Sequence, residues 1–193
     1  MTASQENRAK SLKRFFIALL PPPEIQQFAN EIKQHFAAVY NSRAAQKSPP
    51  HITLQPPFQW PVEELPRLQQ HLQNFAHRQP SIPVFLDGYG AFKPRVIYIN
   101  VLKTAELLAV QKELMAYLES SLGIVHQVSK SRPFAPHLTV AFRDLTKANF
   151  RQAWPEFESQ SLHFEFVVPR LTLLVHNGRC WEVGEEFAFR ADK

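Results

Sequence analysis

A pentapeptide of one pattern occurs twice in this chain. Residues 50–54 read Pro-His-Ile-Thr-Leu and residues 136–140 read Pro-His-Leu-Thr-Val, so proline, histidine and threonine recur with aliphatic residues between them. The amino-acid composition predicts roughly 0.001 chance copies of such a pattern per chain. Two copies therefore indicate an internal repeat, which leaves few folds open to a chain of 193 residues.

The predicted secondary structure repeats with nearly the same spacing. The first half is predicted as strand, helix, strand, helix, strand, and from Val96 the second half follows this order with one additional short strand. A shift of 82 residues places the apolar positions of 15–19 on those of 97–101 and carries Ile82 onto Phe164. Any α+β chain can be divided into similar halves, but the matched pentapeptides favour a true duplication. We predict an α+β, bilobal fold: pseudo-two-fold duplicated antiparallel sheets that pair or face each other, helices packed outside and a central cleft.

Apolar patterns give the predicted elements. Alternation and short apolar runs predict strands at 15–20, 51–54, 82–86, 96–101, 124–129, 136–142, 162–168, 171–176 and 180–189. Spacings of three and four predict a helix of about 17 residues after the prolines at 21–23, a second from Val62 or later, a third over 107–122, and a short fourth ended by Pro155. Loops or turns are predicted at 41–48, at 87–90 and at Asn177-Gly178.

Composition narrows the class of protein. Residues 1–13 are predicted to form a flexible tail, and 14–193 a single domain of two lobes. No apolar run approaches the ~20 residues of a membrane helix, and the polar start lacks a signal peptide. Cys180 is the only cysteine, which excludes an internal disulfide and a cysteine-based zinc site. We expect a cytoplasmic monomer without membrane contact, whose net charge of +5 weakly favours an anionic partner.

The repeated motif carries groups suited to phosphate chemistry. Side chains alternate along a strand, so His51 and Thr53 share one face, as do His137 and Thr139. A two-fold axis would bring two imidazoles and two hydroxyls to one cleft. One histidine can act as a base and the other as an acid, and threonine can donate to phosphate oxygens. No metal or cofactor is required, and the motif strands lack the paired carboxylates of a Mg²⁺ site.

With these motifs the chain resembles the 2H phosphoesterase superfamily, and within it the 2′-5′ RNA ligase-like or 2′,3′-cyclic phosphodiesterase proteins. The resemblance covers nearly the whole chain after residue 13, including the strand 15–20 and the closing strand pair. It implies hydrolysis of RNA-type 2′,3′-cyclic phosphates, usually to 2′-phosphates. It also implies an acid/base pair, two phosphate-holding threonines, and partners that are RNA ends or small cyclic nucleotide phosphates. The residues that match these roles are His51, His137, Thr53 and Thr139.

Further candidates for substrate binding lie near the motifs, although such residues more often belong to the surface or the core. Candidates for phosphate contact are Lys47, Lys130, Arg132 and Arg143, with Arg132 favoured. Candidates for stacking a base are Phe58, Trp60 and Phe134. His176 is a weaker site candidate. The remaining histidines lack the context of a metal site: His35, His71, His77, His126 and His163.

Two other functions stay open at this point. The same cleft could join or cleave 2′-5′ RNA linkages, as some members of the resembled family do. Alternatively, the protein could bind RNA or a nucleotide without turnover. Two titratable imidazoles argue against pure binding, because arginine would serve that purpose as well.

Overall fold

The computed structural model describes residues 11–190. Its strands are β1 (Leu12–Leu19), β2 (Ile52–Pro61), β3 (Ile82–Phe92), β4 (Val96–Val101), β5 (His137–Ala141), β6 (His163–Val168), β7 (Arg170–His176) and β8 (Trp181–Ala188). Its α-helices are α1 (Pro23–Val39), α2 (Leu65–Ala76), α3 (Ala105–Leu122), α4 (Gln127–Lys130) and α5 (Lys147–Glu158). Short 3-10 turns lie at Ala44–Lys47 and Val62–Glu64.

All eight strands form one antiparallel sheet in the order β6-β3-β4-β5-β2-β1-β7-β8. The order is symmetric about the junction of β5 and β2. Moving outward from this junction, β4 matches β1, β3 matches β7, and β6 matches β8. The predicted α+β fold with two duplicated, pairing sheets is therefore confirmed. The predicted match of Ile82 with Phe164 is wrong. Strand β3 joins the half of the sheet that contains β4, so the strand that matches it by symmetry is β7 and not β6.

The aliphatic residues of the motif strands anchor the sheet in the core. Ile52 and Leu138 are 0% exposed and Leu54 and Val140 are also buried, within one cluster that includes the helices. Helix α1 packs against β5 and α3 against β2, so each half of the chain covers a motif strand of the other half. This burial fixes which face of each motif strand is turned away from the helices.

Local chemistry sets the helix ends. Thr104 and Thr146 accept hydrogen bonds from the N–H of Leu107 (3.2 Å) and Asn149 (3.1 Å), which caps α3 and α5. Gly123 ends α3 in the left-handed region with φ 68°. Helix α2 begins at Leu65, later than Val62, which keeps its proline in the first turn. No helix within residues 11–190 combines the length and apolar character needed to cross a bilayer.

Several predicted boundaries are wrong for identifiable reasons. The predicted strand over 124–129 is wrong: residues 124–126 form a loop and α4 begins at Gln127, because the His126 side chain accepts from the Ser129 N–H and caps the helix. Helix α5 continues past Pro155 to Glu158, since burial of Phe157 holds its last turn in the core.

The first and third strands also extend further than predicted. Strand β3 runs through 87–90 with an irregularity at Gly88 (φ 64°), so these residues form no turn. Strand β1 begins at Leu12, which pairs with Pro61, and the Ser11 carbonyl oxygen accepts from the Val62 N–H, so residues 11–13 do not belong to a tail. Residues 1–10 of the predicted tail lie outside the described residues.

Candidate active site

The two motif strands pair with each other at the centre of the sheet. Ile52 and Leu138 are antiparallel partners. Continuing this register by one residue on each side sets His51 opposite Thr139 and Thr53 opposite His137. Because side chains alternate, all four point away from the face that buries Ile52 and Leu138. Directly opposed residues have Cβ atoms about 5 Å apart and diagonal neighbours about 7–8 Å apart, which places both imidazoles within reach of one phosphate group.

These four side chains line one cavity of about 400 Å³. That volume suits a small organic ligand such as a nucleotide. The cavity walls come from both halves of the sheet and from the segment before the first motif. The remaining lining residues are Phe16, Ala44, Ala45, Lys47, Ser48, Pro57, Phe92, Val96, Phe142, Arg143, His176 and Trp181.

Both motif histidines are oriented by the same local hydrogen bond. His51 Nδ1 lies 2.7 Å from the carbonyl oxygen of Pro49, and His137 Nδ1 lies 2.7 Å from that of Ala135. A carbonyl oxygen only accepts, so Nδ1 carries the proton in each ring. In the neutral state each Nε2 is therefore a proton acceptor, and in the charged state it is a donor. The structure thus presents two equivalent proton-transfer nitrogens.

Burial disfavours the charged form of both imidazoles. It lowers the pKa of His51 to about 4; the nearby charges of Lys33 and His137 act in the same direction, and the hydrogen bond to Pro49 opposes them. Burial also lowers the pKa of His137, against the hydrogen bond to Ala135. The contribution of His137 to the lowered pKa of His51 agrees with the placement of both rings in one cavity.

An aromatic ring supports each histidine. The Phe16 ring centroid is 4.7 Å from that of His51, while Phe92 and Tyr98 lie 5.0 and 5.2 Å from His137. Phe92 is 43% exposed and lines the cavity, so its ring is open to a ligand. Our sequence reasoning missed Phe16, Phe92 and Trp181 as lining residues. Strand alternation alone could have indicated Phe16, since its neighbours Phe15 and Ile17 belong to the main core and Phe16 faces the other side.

Some of the other residues predicted for substrate binding line the cavity. Arg143, Lys47 and His176 line the cavity and bring positive or polar groups to it. The Arg14 guanidinium (Nη2) donates to His176 Nδ1 over 3.0 Å and lies 5.8 Å from the Trp181 ring centroid. Burial, followed by the charges of Arg14 and Lys47, lowers the pKa of His176.

The remaining candidates lie outside the lining of this cavity. Arg132 is exposed, and Lys130 forms an ion pair with Glu119. Three aromatic candidates pack on the main core instead: Phe58, Trp60 and Phe134. Among the other histidines, His71 contacts the Tyr117 hydroxyl at 2.9 Å and His126 caps α4. Within residues 11–190 no three His, Cys, Asp or Glu side chains cluster as metal ligands.

A buried lysine lies beneath the site. Lys33 on α1 is 2% exposed, and its Nζ donates to the Ser48 carbonyl oxygen over 2.9 Å. Burial lowers the pKa of Lys33 from 10.5 to about 8. Its ammonium group is therefore a positive charge held close to the first motif, behind the cavity wall.

The lowered pKa of Lys33 leads to a prediction about how the free energy of unfolding depends on pH. Between pH 8 and 10.5 the unfolded chain binds a proton at Lys33 that the native chain does not, so the contribution of Lys33 to the free energy of unfolding should rise with pH by up to about 3 kcal/mol. Urea unfolding across this range measures it. Lys33→Met should remove the rise, whereas Lys112→Met, at an exposed position, should retain it. An equal rise in the Lys33→Met variant would contradict this assignment.

The fold and cavity define a two-histidine α+β protein in which paired His-x-Thr strands face one pocket. Comparison with known proteins agrees with this class. The model of the 2′-5′ RNA ligase superfamily matches residues 21–179. The chain belongs to that superfamily, and the predicted membership of the 2H phosphoesterases is confirmed.

Curated relatives and solved structures show the same relationship. A Geobacillus kaustophilus protein named "Putative phosphoesterase" is 30% identical over 178 residues, covering 90% of this chain and 95% of the relative. One from Geobacillus thermodenitrificans is 31% identical with the same coverage. The crystal structure of TT0787 of Thermus thermophilus matches with TM-score 0.67 and 22% identity over 93% of this chain and 100% of that one. Apo LigT of Escherichia coli matches with TM-score 0.66 and 21% identity over 94% and 99%.

Proposed function

We propose that this protein is a metal-independent phosphoesterase that hydrolyses 2′,3′-cyclic phosphates of RNA ends or nucleotides, leaving 2′-phosphates. The observation that carries the proposal is the β2–β5 register, which sets each motif histidine opposite the threonine of the other motif. Two acid/base groups and two hydroxyl donors then surround a single ligand position. These are the groups required for in-line displacement at phosphorus.

The reaction follows from the protonation states of the two Nε2 atoms. One neutral imidazole accepts a proton from water as the water oxygen bonds to phosphorus. The bond from phosphorus to the ribose O3′ breaks, and the other, protonated imidazole donates its proton to O3′. The product carries a 2′-phosphate and a free 3′-hydroxyl. The symmetry of the site leaves both assignments of acid and base open to His51 and His137.

Other lining groups support the charge that develops on the phosphate. Thr53 and Thr139 donate to the non-bridging oxygens as this charge develops, and Arg143 and Lys47 bring to the wall positive charge that already attracts the phosphate of the bound substrate. Phe92 and Phe142 offer ring surface to a nucleobase. Arg132, Phe58 and Phe134 lie outside the cavity lining, so they have no role at the substrate in this proposal.

Related proteins support a nucleotide as the ligand. LigT of Escherichia coli has been solved with 3′-AMP, in a structure that matches this chain with TM-score 0.65 and 22% identity, and also with phosphate. The Geobacillus relatives are named as phosphoesterases. A monomer acting in the cytoplasm remains part of this proposal.

The proposal is tested by hydrolysis of adenosine 2′,3′-cyclic phosphate with EDTA present. We expect turnover that EDTA does not reduce, and a product identified by chromatography as the 2′-phosphate. Adenosine 3′,5′-cyclic phosphate serves as the control substrate, because its phosphate bridges different oxygens. Binding of the 2′,3′-cyclic phosphate without turnover would favour the non-catalytic alternative.

Ligation is a second candidate, favoured by the superfamily to which the chain belongs. If a 5′-hydroxyl replaces water as the nucleophile, the same bond to O3′ breaks and a 2′-5′ linkage forms. An oligonucleotide with a 2′,3′-cyclic end, mixed with a 5′-hydroxyl partner, distinguishes the outcomes. A joined product resistant to a 3′-5′-specific ribonuclease would establish ligation.

The lowered pKa values predict an acidic optimum. Catalysis needs one protonated and one neutral imidazole, and His51 has a pKa of about 4 while that of His137 lies below 6.5. As pH rises through the higher of the two values, the acid loses its proton and kcat/KM falls; below the lower value, the base is protonated and kcat/KM falls again. We expect a bell-shaped profile of kcat/KM with its maximum below pH 6.5. A maximum above pH 8 would contradict these pKa directions.

A further inference from the structure

Arg143 has an uncommon backbone conformation for a cavity residue. Its φ is 59°, in the left-handed region that non-glycine residues seldom adopt. Its guanidinium lies 5.1 Å from the ring centroid of Phe142, another lining residue. Strained conformations of this kind persist where surrounding contacts determine them, and they concentrate at functional sites. We therefore expect neighbouring contacts to hold the chain at this turn.

The next residue, Asp144, is hydrogen-bonded to a segment that comes from the other half of the chain. Its Oδ1 accepts from the Ser42 hydroxyl over 2.8 Å, and its Oδ2 accepts from the backbone N–H of Arg43 (2.8 Å) and Ala44 (2.9 Å). Ser42 is 1% exposed, so the donor of this bond is buried, whereas Asp144 itself is exposed. A carboxylate is the side chain that can accept all three hydrogen bonds at once.

The partners of Asp144 begin a segment that we call the wall loop, residues 41–50. Ala44, Ala45, Lys47 and Ser48 of this loop line the cavity. The far end of the loop is held by Lys33 through the Ser48 carbonyl oxygen and leads directly into His51. The wall loop is thus fixed at both ends, by an anion following β5 and by a buried cation of α1.

We propose that Asp144 is a positioning residue, which locks the wall loop against the end of β5 and keeps the Arg143 guanidinium in the cavity. The inference rests on the proposed function for the role of Arg143 toward the phosphate. Asp144 itself is not among the residues that line the cavity. It acts through Arg143 and through the wall loop, so that both halves of the molecule present their cations to the same ligand.

Amide exchange tests the contact without any substrate. In Asp144→Ala the backbone N–H groups of Arg43 and Ala44 lose their acceptor, so their hydrogen exchange should become faster, while amides in β2 and β5 stay protected. Tyr40→Phe is the matched control. It removes another hydrogen bond between the two halves, from the Tyr40 hydroxyl to Glu156 over 3.3 Å, and should leave exchange at Arg43 and Ala44 unchanged.

Kinetics with adenosine 2′,3′-cyclic phosphate tests the positioning role. Misplacement of a binding group lowers kcat/KM by about ten- to a hundredfold. We expect Asp144→Ala and Arg143→Ala each to show a loss of this size, expressed mainly in KM. The double variant should lose less than the product of the two single losses, because both changes remove the same guanidinium contact and only Asp144→Ala also releases the wall loop. Tyr40→Phe should keep wild-type values.

The outcomes separate this inference from the proposed function. Unchanged exchange at Arg43 and Ala44 in Asp144→Ala, or losses that multiply in the double variant, would overturn the positioning role. If Asp144→Ala does not fold, Ser42→Ala removes one of the three hydrogen bonds and should give a smaller loss in the same direction; no change in exchange or KM there would also overturn it. Full activity in the motif-histidine variants would instead refute the proposed function and leave the exchange result intact.

Discussion

Replacing His51 or His137 with alanine should lower kcat for adenosine 2′,3′-cyclic phosphate by about 10²–10⁴-fold in each case. Each change removes one of the two nitrogens that transfer protons, and water cannot be held in its place with the same orientation. The two Nδ1 bonds to the carbonyl groups of Pro49 and Ala135 fix that orientation in the native protein. Initial rates at saturating substrate measure the effect.

The control for this prediction is another histidine. His163 is exposed on β6 and lies outside the cavity lining, so His163→Ala should retain full activity. Thermal unfolding should show that both motif variants remain folded, because both histidines face the cavity and not the main core. Full activity of either motif variant would show that the duplicated motif does not carry the chemistry.

The second large effect is expected at the threonines. Thr53→Val and Thr139→Val keep the shape of each side chain and remove its hydroxyl donor. Loss of one donor to a charge-bearing oxygen costs about 10²–10³-fold in kcat. Serine at the same positions retains the hydroxyl and should restore most of the rate, which a purely structural role of the β-branched side chain would not predict.

Thr172 provides the comparison for the threonine variants. It lies on β7 of the same sheet, is buried, and does not line the cavity. Thr172→Val should therefore leave kcat unchanged, whatever its effect on the unfolding temperature. If Thr53→Val and Thr139→Val behaved as Thr172→Val does, these hydroxyls would not contact the phosphate.

The centre of the fold could be predicted because its pattern is local and repeated. Alternation within each pentapeptide determines which residues face the core, and duplication implies that the two motif strands meet. Ile52 and Leu138 pair as that reasoning requires. The crossing of β3 and β7 to opposite halves could not be predicted, because strand exchange depends on tertiary pairing and leaves each strand's own pattern unchanged.

The residues of the cavity walls were harder to predict from the sequence. Trp181 and Phe92 come from strands far from the motifs along the chain, and no spacing relates them to His51 or His137. Arg132 and Arg143 flank the second motif at similar distances, yet only Arg143, at the left-handed turn after β5, lines the cavity. Such differences arise from contacts like those of Asp144, which join residues about a hundred positions apart.

The central claim is that one phosphate contacts both motif histidines. The direct measurement is a titration of the protein with adenosine 2′-monophosphate, followed by NMR of the imidazole nitrogens. We expect the Nε2 signals of His51 and His137 to move together with one dissociation constant, and both pKa values to rise as the phosphate dianion stabilises the charged rings. Movement of only one ring, or of neither while the nucleotide binds, would contradict the account.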